Sequence, residues 1–269
     1  MARPLSTGRP VQTRKPTATV SKRAATLCAV IALGITGACT SPKPGEMVND
    51  PYEKTNRKIH NMSKGLDTAV VRPVSMAYGK AVPNPVRIGV SNVADNLTLP
   101  SMVLNGILQG DGELVLNNSF RFVINSTYGL GGLLDPASKM GLTQMDTDFG
   151  ETLHVWGAKE GAYLEVPLMG PSTTRDLTGK AVDAVINPVS VLTPLTYTAA
   201  RRSLSVAEKL DDRYRYDETI SSTLYESADS YSQTRLLYLQ NRRFELGQSS
   251  GGSDDSSTLF DPYEDPYAE

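Results

Sequence analysis

Apolar residues recur along this chain at helical spacing, punctuated by proline, glycine and short polar runs. Asn49-Asp50-Pro51-Tyr52-Glu53 reads as a helix start. Asp50 suits the N-cap, Pro51 the first helical position, and Glu53 a bond back to the cap. Ile59, Met62, Leu66 and Val70 follow on one face, predicting an amphipathic helix of about 18 residues. The device recurs at Asn84-Pro85, ahead of Val86, Val90, Val93 and Leu97. Pro100 opens a further helical stretch through Met102, Val103, Leu104, Ile107 and Leu108, closed by Gly110-Asp111-Gly112. From Glu113 to Thr127, Leu116, Phe120, Val123 and Ile124 keep the same period.

The middle is less regular. Tyr128-Gly129-Leu130-Gly131-Gly132-Leu133-Leu134-Asp135-Pro136 mixes glycine with apolar residues, an unusual composition for a surface loop. Tyr163, Leu164, Val166 and Leu168 read as a short strand or an extended segment with no evident partner, which argues against a sheet. Helices are expected from about Thr178 to Ile186 and from Glu218 to about Phe244, the latter with Ile220, Leu224, Ala228 and Tyr231 on one face. The pattern predicts an all-α single domain of short amphipathic helices.

The ends change the picture. Residues 1–38 hold six basic side chains and no acidic one, followed by an apolar run and then Thr36-Gly37-Ala38-Cys39. The run, about 15 residues, is short of the roughly 20 that a spanning helix needs, and the whole reads as a secretory signal. With Cys directly after the small residues it resembles a bacterial lipobox, making Cys39 the expected lipidation site. The expected organisation is therefore a signal over 1–38, a Pro-containing tether over 39–48, a helical body over 49–247 and a disordered acidic tail over 248–269. Removing the signal takes 6 of the 27 basic residues and none of the 29 acidic ones, moving the net charge from −2 to −8. Six acids lie in the tail, so the body is near neutral and lacks the basic field that nucleic-acid binding requires. Cys28 leaves with the signal, so no intrachain disulfide is expected.

Motifs of chemistry are scarce. Only His60 and His154 occur, far apart and without a metal-ligand pattern, so no metal or cofactor is expected. His60 reads as a polar position on its helix, and His154, beside Trp156, as a packing or hydrogen-bonding residue. There is no G-x-S-x-G elbow for a hydrolase. Gly129-x-Gly131-Gly132 follows a helix rather than a strand, which argues against a phosphate loop. It suits a tight helix–helix turn, or an apolar hairpin placed in a headgroup layer or against a neighbouring helix.

Several stretches together carry a family resemblance. They are Asn49-Asp50-Pro51-Tyr52-Glu53-x-x-Asn56-Arg57, Val71-Arg72-Pro73-Val74, Val82-Pro83-x-Pro85-x-Arg87-x-Gly89-x-Ser91-Asn92 and Leu108-Gln109-Gly110-Asp111. Arg121-Phe122-x-x-Asn125-Ser126-Thr127-x-Gly129-x-Gly131-Gly132-x-x-Asp135 follows, then Asp148-Phe149-Gly150-x-Thr152-Leu153, Trp156-Gly157, Tyr163-Leu164-x-Val166-Pro167 and Thr173-x-Arg175-Asp176. In order and spacing the chain resembles the MlaA (VacJ) family of outer-membrane lipoproteins over roughly residues 49 to 195. Lys54-Thr55 departs from the apolar or glycine residues usual there.

The resemblance implies a ring of amphipathic helices in the periplasmic leaflet of the outer membrane, around a polar channel. It implies a non-enzymatic role: phospholipids mislocalised to the outer leaflet pass through the ring to a periplasmic, MlaC-like carrier, which maintains lipid asymmetry. Phospholipids, the outer membrane, a trimeric porin and that carrier are the implied partners; the protein would be lipid-anchored and face the periplasm. Arginine suits a phosphate because its planar fork donates two parallel bonds. Arg72, Arg121 and Arg175, with Asp176 balancing the last, are the channel candidates, and Gly129, Gly131 and Gly132 are the channel-access hairpin. The competing readings are a porin-associated scaffold without transport and, more weakly, a periplasmic phospholipase.

Overall fold

A computed structural model describes residues 48–188 and 195–248. The expected signal, Cys39, the tether up to residue 47 and the tail from residue 249 lie outside the described residues. The helices are α1 (Glu53–Leu66), α2 (Arg72–Ala81), α3 (Asn84–Gln109), α4 (Gly112–Thr127), α5 (Pro136–Lys139) and α6 (Phe149–Val155). After the strands β1 (Tyr163–Val166) and β2 (Gly170–Thr173) come α7 (Thr174–Ile186), α8 (Leu195–Arg215), α9 (Asp217–Ser221) and α10 (Ser230–Glu245). Two π-helical segments, Asp67–Val71 and Ser222–Glu226, extend α1 into α2 and continue α9.

The punctuation placed most helices and misjudged some joins. Asp50 does not cap α1, which starts after Tyr52 without a side-chain cap. Its carboxylate instead accepts from Asn56 Nδ2 at 2.9 Å and Arg235 Nη1 at 2.6 Å, and from the Tyr231 hydroxyl. The stretches on either side of Pro100 form one helix, α3. Proline denies the preceding turn one hydrogen bond, but its neighbour Leu99 is fully buried and both α4 and α8 pack along the helix. The expected long final helix is broken by Ser227 and restarts with Asp229 as N-cap, its side chain accepting from Ser232 N–H. The sheet expectation was wrong. Tyr163–Val166 pairs antiparallel with Gly170–Thr173, a strand too poor in apolar residues to stand out. Three-residue loops are common in hairpins, and Leu168 in this one adopts a positive φ of 65°.

Packing order makes the elements a ring. Helix α8 packs on α3, α3 on α6, α6 on α7, α7 on β2, β2 on β1, β1 on α1, α1 on the first π segment, that segment on α2, and α2 back on α8. Helices α9 and α10 form an arm bridging α8 to β2. Close crossings hold the ring together. A Cβ on Gly179 of α7 would lie 2.2 Å from the Gly150 nitrogen of α6. The buried apolar cluster is small: Tyr163, Tyr231 and Leu239, with Val48 and Tyr238 against it.

Burial is inverted relative to an ordinary helical domain. Among the described residues 18 polar or charged side chains are buried against 10 apolar ones, while 24 large apolar side chains are exposed. On α4, Asn118, Arg121 and Asn125 are buried, and Leu116, Phe120 and Val123 face outward. The helices are amphipathic with the polar stripe turned inward.

Candidate polar interior and apolar rim

The inward stripes are organised by charge. Arg87 of α3 pairs with buried Asp211 of α8 and stacks over Tyr214, 5.0 Å from the ring centroid. Arg213 grips Asp67 at 2.8 and 2.9 Å and Asp217 at 2.7 Å, joining the first π segment to α8 and α9. Burial opposes ionisation of Asp67, but Arg213 and the Tyr225 hydroxyl hold its carboxyl below the usual range. Arg242 of α10 bridges the α6 N-cap Asp148 at 2.7 Å and Asp176 at 3.3 Å.

The sequence-selected residues fall into separate parts of this framework. Arg72 donates to Asp217 at 2.9 and 3.1 Å, so its fork is occupied. Arg121 donates to Ser138 at 3.0 Å, to Asp135 at 3.2 Å and to the Leu142 carbonyl, fastening the segment after the glycine hairpin onto α4. Arg175 differs. Its side chain is 1% exposed, its nearest carboxylate contact is Asp176 at 3.5 Å, and its Nε and Nη2 have no hydrogen-bond partner among the described residues. Nη1 approaches His154 Nδ1 at 3.4 Å. Burial, then the charges of Arg175 and Arg242, lower the His154 pKa, as suits a neutral ring accepting that bond. Asp176 is held by Arg242, by the Tyr238 hydroxyl at 2.7 Å and by Thr173 at 2.8 Å more closely than by Arg175.

The glycine hairpin is pinned to α3. A Cβ on Gly132, at a φ of +93°, would lie 2.7 Å from Asn96 Cβ. Gly129 is closed in by the Asn125 and Leu134 carbonyls, and Gly131 faces open space. Asn92 donates to the Leu133 carbonyl at 3.1 Å. The tip carries Tyr128 and Leu130, 80% and 71% exposed. His60 is buried between Glu165, 3.2 Å from Nδ1, and Ser230, 3.1 Å from Nε2.

Sequence reasoning missed the charges that the ring leaves without a partner. Asp95 of α3, Lys180 of α7 and Glu208 of α8 are partly buried and make no ion pair among the described residues. Burial, reinforced by Asp146 and Asp212, pushes Asp95 up to about 6. Burial, with Asp95 and Asp212, pushes Glu208 up to about 7. Burial lowers Lys180, against the support of Asp176 and Asp148. A signal existed: in the 26 residues of α3 only Arg87 and Asp95 are charged.

Outside, the exposed apolar side chains run over several elements: Val86, Ile88 and Ile107 on α3, Leu116, Phe120 and Val123 on α4, and Leu236 and Leu237 on α10. A surface this apolar marks a contact with lipid or protein. No helix among the described residues is long and apolar enough to cross a membrane. No metal-binding cluster occurs among them.

Comparison with known proteins agrees across sequence and structure. The family described as "MlaA lipoprotein" matches residues 48–245. The "Intermembrane phospholipid transport system lipoprotein MlaA" of Shigella flexneri is 33% identical over 221 residues, covering 80% of this chain and 86% of its own. Its namesake in Escherichia coli K12 is 32% identical over the same length and coverage. An uncharacterized protein of Rickettsia bellii is 33% identical over 198 residues, covering 72% of this chain and 76% of its own. A solved structure described as "Structural basis for maintenance of bacterial outer membrane lipid asymmetry" superposes with a TM-score of 0.63 at 30% identity. That match covers 73% of this chain and 98% of the other.

Proposed function

This chain belongs to the MlaA lipoprotein family, and from that premise we propose that it works in intermembrane phospholipid transport, keeping the outer membrane's lipids asymmetric. Phospholipid that has strayed into the outer leaflet would pass through the ring's polar interior and on to a periplasmic carrier. Cys39 would anchor the protein, with its body in the periplasmic leaflet and a trimeric porin beside it. The protein would move lipid without making or breaking a bond in it. The carrying observation is the inverted burial: 18 buried polar side chains inside a rim of 24 exposed large apolar ones. Such a ring keeps acyl tails in apolar surroundings while a headgroup crosses a polar one.

The interior suits a zwitterion. Asp95 and Glu208 can meet an ammonium, and Lys180 and Arg175 a phosphate. Arg175 is the best placed of the three sequence-selected arginines. Arg72 is forked on Asp217, and both Nη atoms of Arg121 are taken by Ser138, Asp135 and the Leu142 carbonyl, leaving its Nε alone unpaired among the described residues. A buried guanidinium with spare N–H groups gains from an anion that can satisfy them. Passage also requires release, so these contacts must be weak enough to let go.

A strain lacking the protein, complemented with wild type, Arg175→Gln or Cys39→Ser, tests the reading. Phospholipid at the cell surface and sensitivity to detergent should rise in the deletion strain, and wild type should restore both. Arg175→Gln should restore them incompletely at normal protein level. If the deletion leaves surface phospholipid unchanged while porin association is present in wild type, the scaffold reading replaces transport.

A further inference from the structure

A second candidate site lies at another part of the framework, bordered by Asp67 and the buried His60–Glu165 pair. A cavity of about 390 Å³ opens between α1 with its π extension, the β-hairpin, and the arm of α9, the second π segment and α10. None of Asp95, Arg175, Lys180 or Glu208 lines it. Its apolar walls are Leu66, Val71, Leu168, Ile220 and Leu224.

Two independent features mark it as built for a ligand. Ser63 and Thr234 line it, and the hydroxyl of each is buried without a hydrogen-bond partner among the described residues. Helical Ser and Thr ordinarily return their proton to a carbonyl one turn back. In this chain Thr68, Thr127, Thr178 and Thr223 do so, at 2.7–3.0 Å. Two residues at the same cavity thus each keep a free donor, which a ligand's oxygen takes once the side chain turns toward it. The second feature is the backbone. Both π-helical segments among the described residues border this cavity, through Asp67 and Val71 and through Thr223 and Leu224. Such segments are rare and concentrate at functional sites.

The surroundings indicate what enters. Leu168 lines the cavity and is also 76% exposed, which brings an apolar surface to the cavity's edge. Lys64 lines it, makes no ion pair among the described residues, and lies 5.6 Å from the Tyr225 ring centroid. At ~30 Å³ per small heavy group, the volume admits one hydrocarbon chain of a dozen or so carbons and not two.

We propose that this cavity binds a single-chain amphiphile: one acyl chain along the apolar walls, its polar linkage accepting from Ser63 and Thr234, its anionic head toward Lys64. The proposal rests on the reading of this protein as a lipid handler, and names a second lipid site in it. A free fatty acid and a lysophospholipid share the required chemistry.

The test uses full-length protein in detergent, with laurate and lauroyl-lysophosphatidylglycerol as probes and native mass spectrometry as readout. Saturable one-to-one binding of either probe is expected, and the probe that binds more tightly identifies the source. Leu224→Trp, which fills the cavity, should abolish it. Thr234→Val should weaken it about tenfold while leaving the melting temperature unchanged or higher, since it removes an unpaired hydroxyl. A diazirine-labelled laurate on wild-type protein, which needs no variant to fold, should label peptides from residues 60–71 and 219–224. Labelling confined elsewhere, no saturable binding, or binding indifferent to both substitutions overturns the proposal. Transport is decided separately in cells, so failure here leaves the asymmetry assay standing.

Discussion

Glu208 is destabilising in its charged form, and that has a measurable sign. Its folded pKa, about 7, lies above the ordinary value of 4.5. A group raised in the folded state contributes stability below its unfolded pKa and loses it as pH rises through the folded one. Glu208→Gln should therefore raise the melting temperature at pH 8, and the gain should shrink to nothing as pH falls toward 4.5. Because the side chain is partly exposed, solvent screening reduces the effect to on the order of 1 kcal/mol. Melting curves at several pH values decide it; a gain that persists at acid pH would mean the substitution acts through packing. The same residue scale explains what the sequence hid. The motifs held Asn56, Arg87, Asn125, Asp148 and Asp176, and the structure buries or caps with each of them, so the family pattern is largely a scaffold of buried hydrogen bonds. Asp95, Lys180 and Glu208 lie outside those motifs. Their interest comes from lacking partners, and partner choice across α3, α7 and α8 cannot be read from spacing.

At the level of elements, backbone contact fixes the ring as much as side chains do. Gly179 meets the Gly150 nitrogen and Cα at 2.2 and 2.6 Å from where a Cβ would be, and backbone cannot move aside as a flexible side chain can. Gly179→Val should destabilise the protein by more than ~3 kcal/mol, read as a lower melting temperature or loss of folded yield. Gly65, whose added Cβ would meet nothing within 4 Å, is the control: Gly65→Ala should be neutral or stabilising. The helices themselves were legible because caps and periodicity are local. The joins were not. Pro100 reads as a break, but α3 runs through it because packing on α4 and α8 outweighs the lost bond. The π segments add a residue within otherwise periodic runs, and β2 offers Gly-Pro-Ser-Thr where a strand would be expected to show apolar alternation.

For the whole molecule, periodicity gave the two faces of each helix but not which one turns inward. In water the apolar face is buried. Here the reverse arrangement requires that something apolar replace water around the rim. Each exposed side chain such as Leu116 or Phe120 gains roughly 1.5–3 kcal/mol on entering hydrocarbon. Nothing inside the protein pays for their exposure. Substituting Phe120 and Val123 together by Ser should leave the fold within about 0.5 kcal/mol, because surface positions without partners contribute little. It should nevertheless weaken partition into phospholipid vesicles by ~100-fold, since 1.4 kcal/mol is a factor of ten. The measurement is best made on Cys39→Ser protein, where an acyl anchor cannot mask the loss. Vesicle flotation of that protein with and without the α4 substitutions isolates the rim's contribution from that of the proposed Cys39 anchor. Binding that survives the loss of Cys39 but falls with Phe120 and Val123 places the helical rim in the leaflet. Flotation insensitive to α4 would mean that this face meets a protein neighbour instead of lipid.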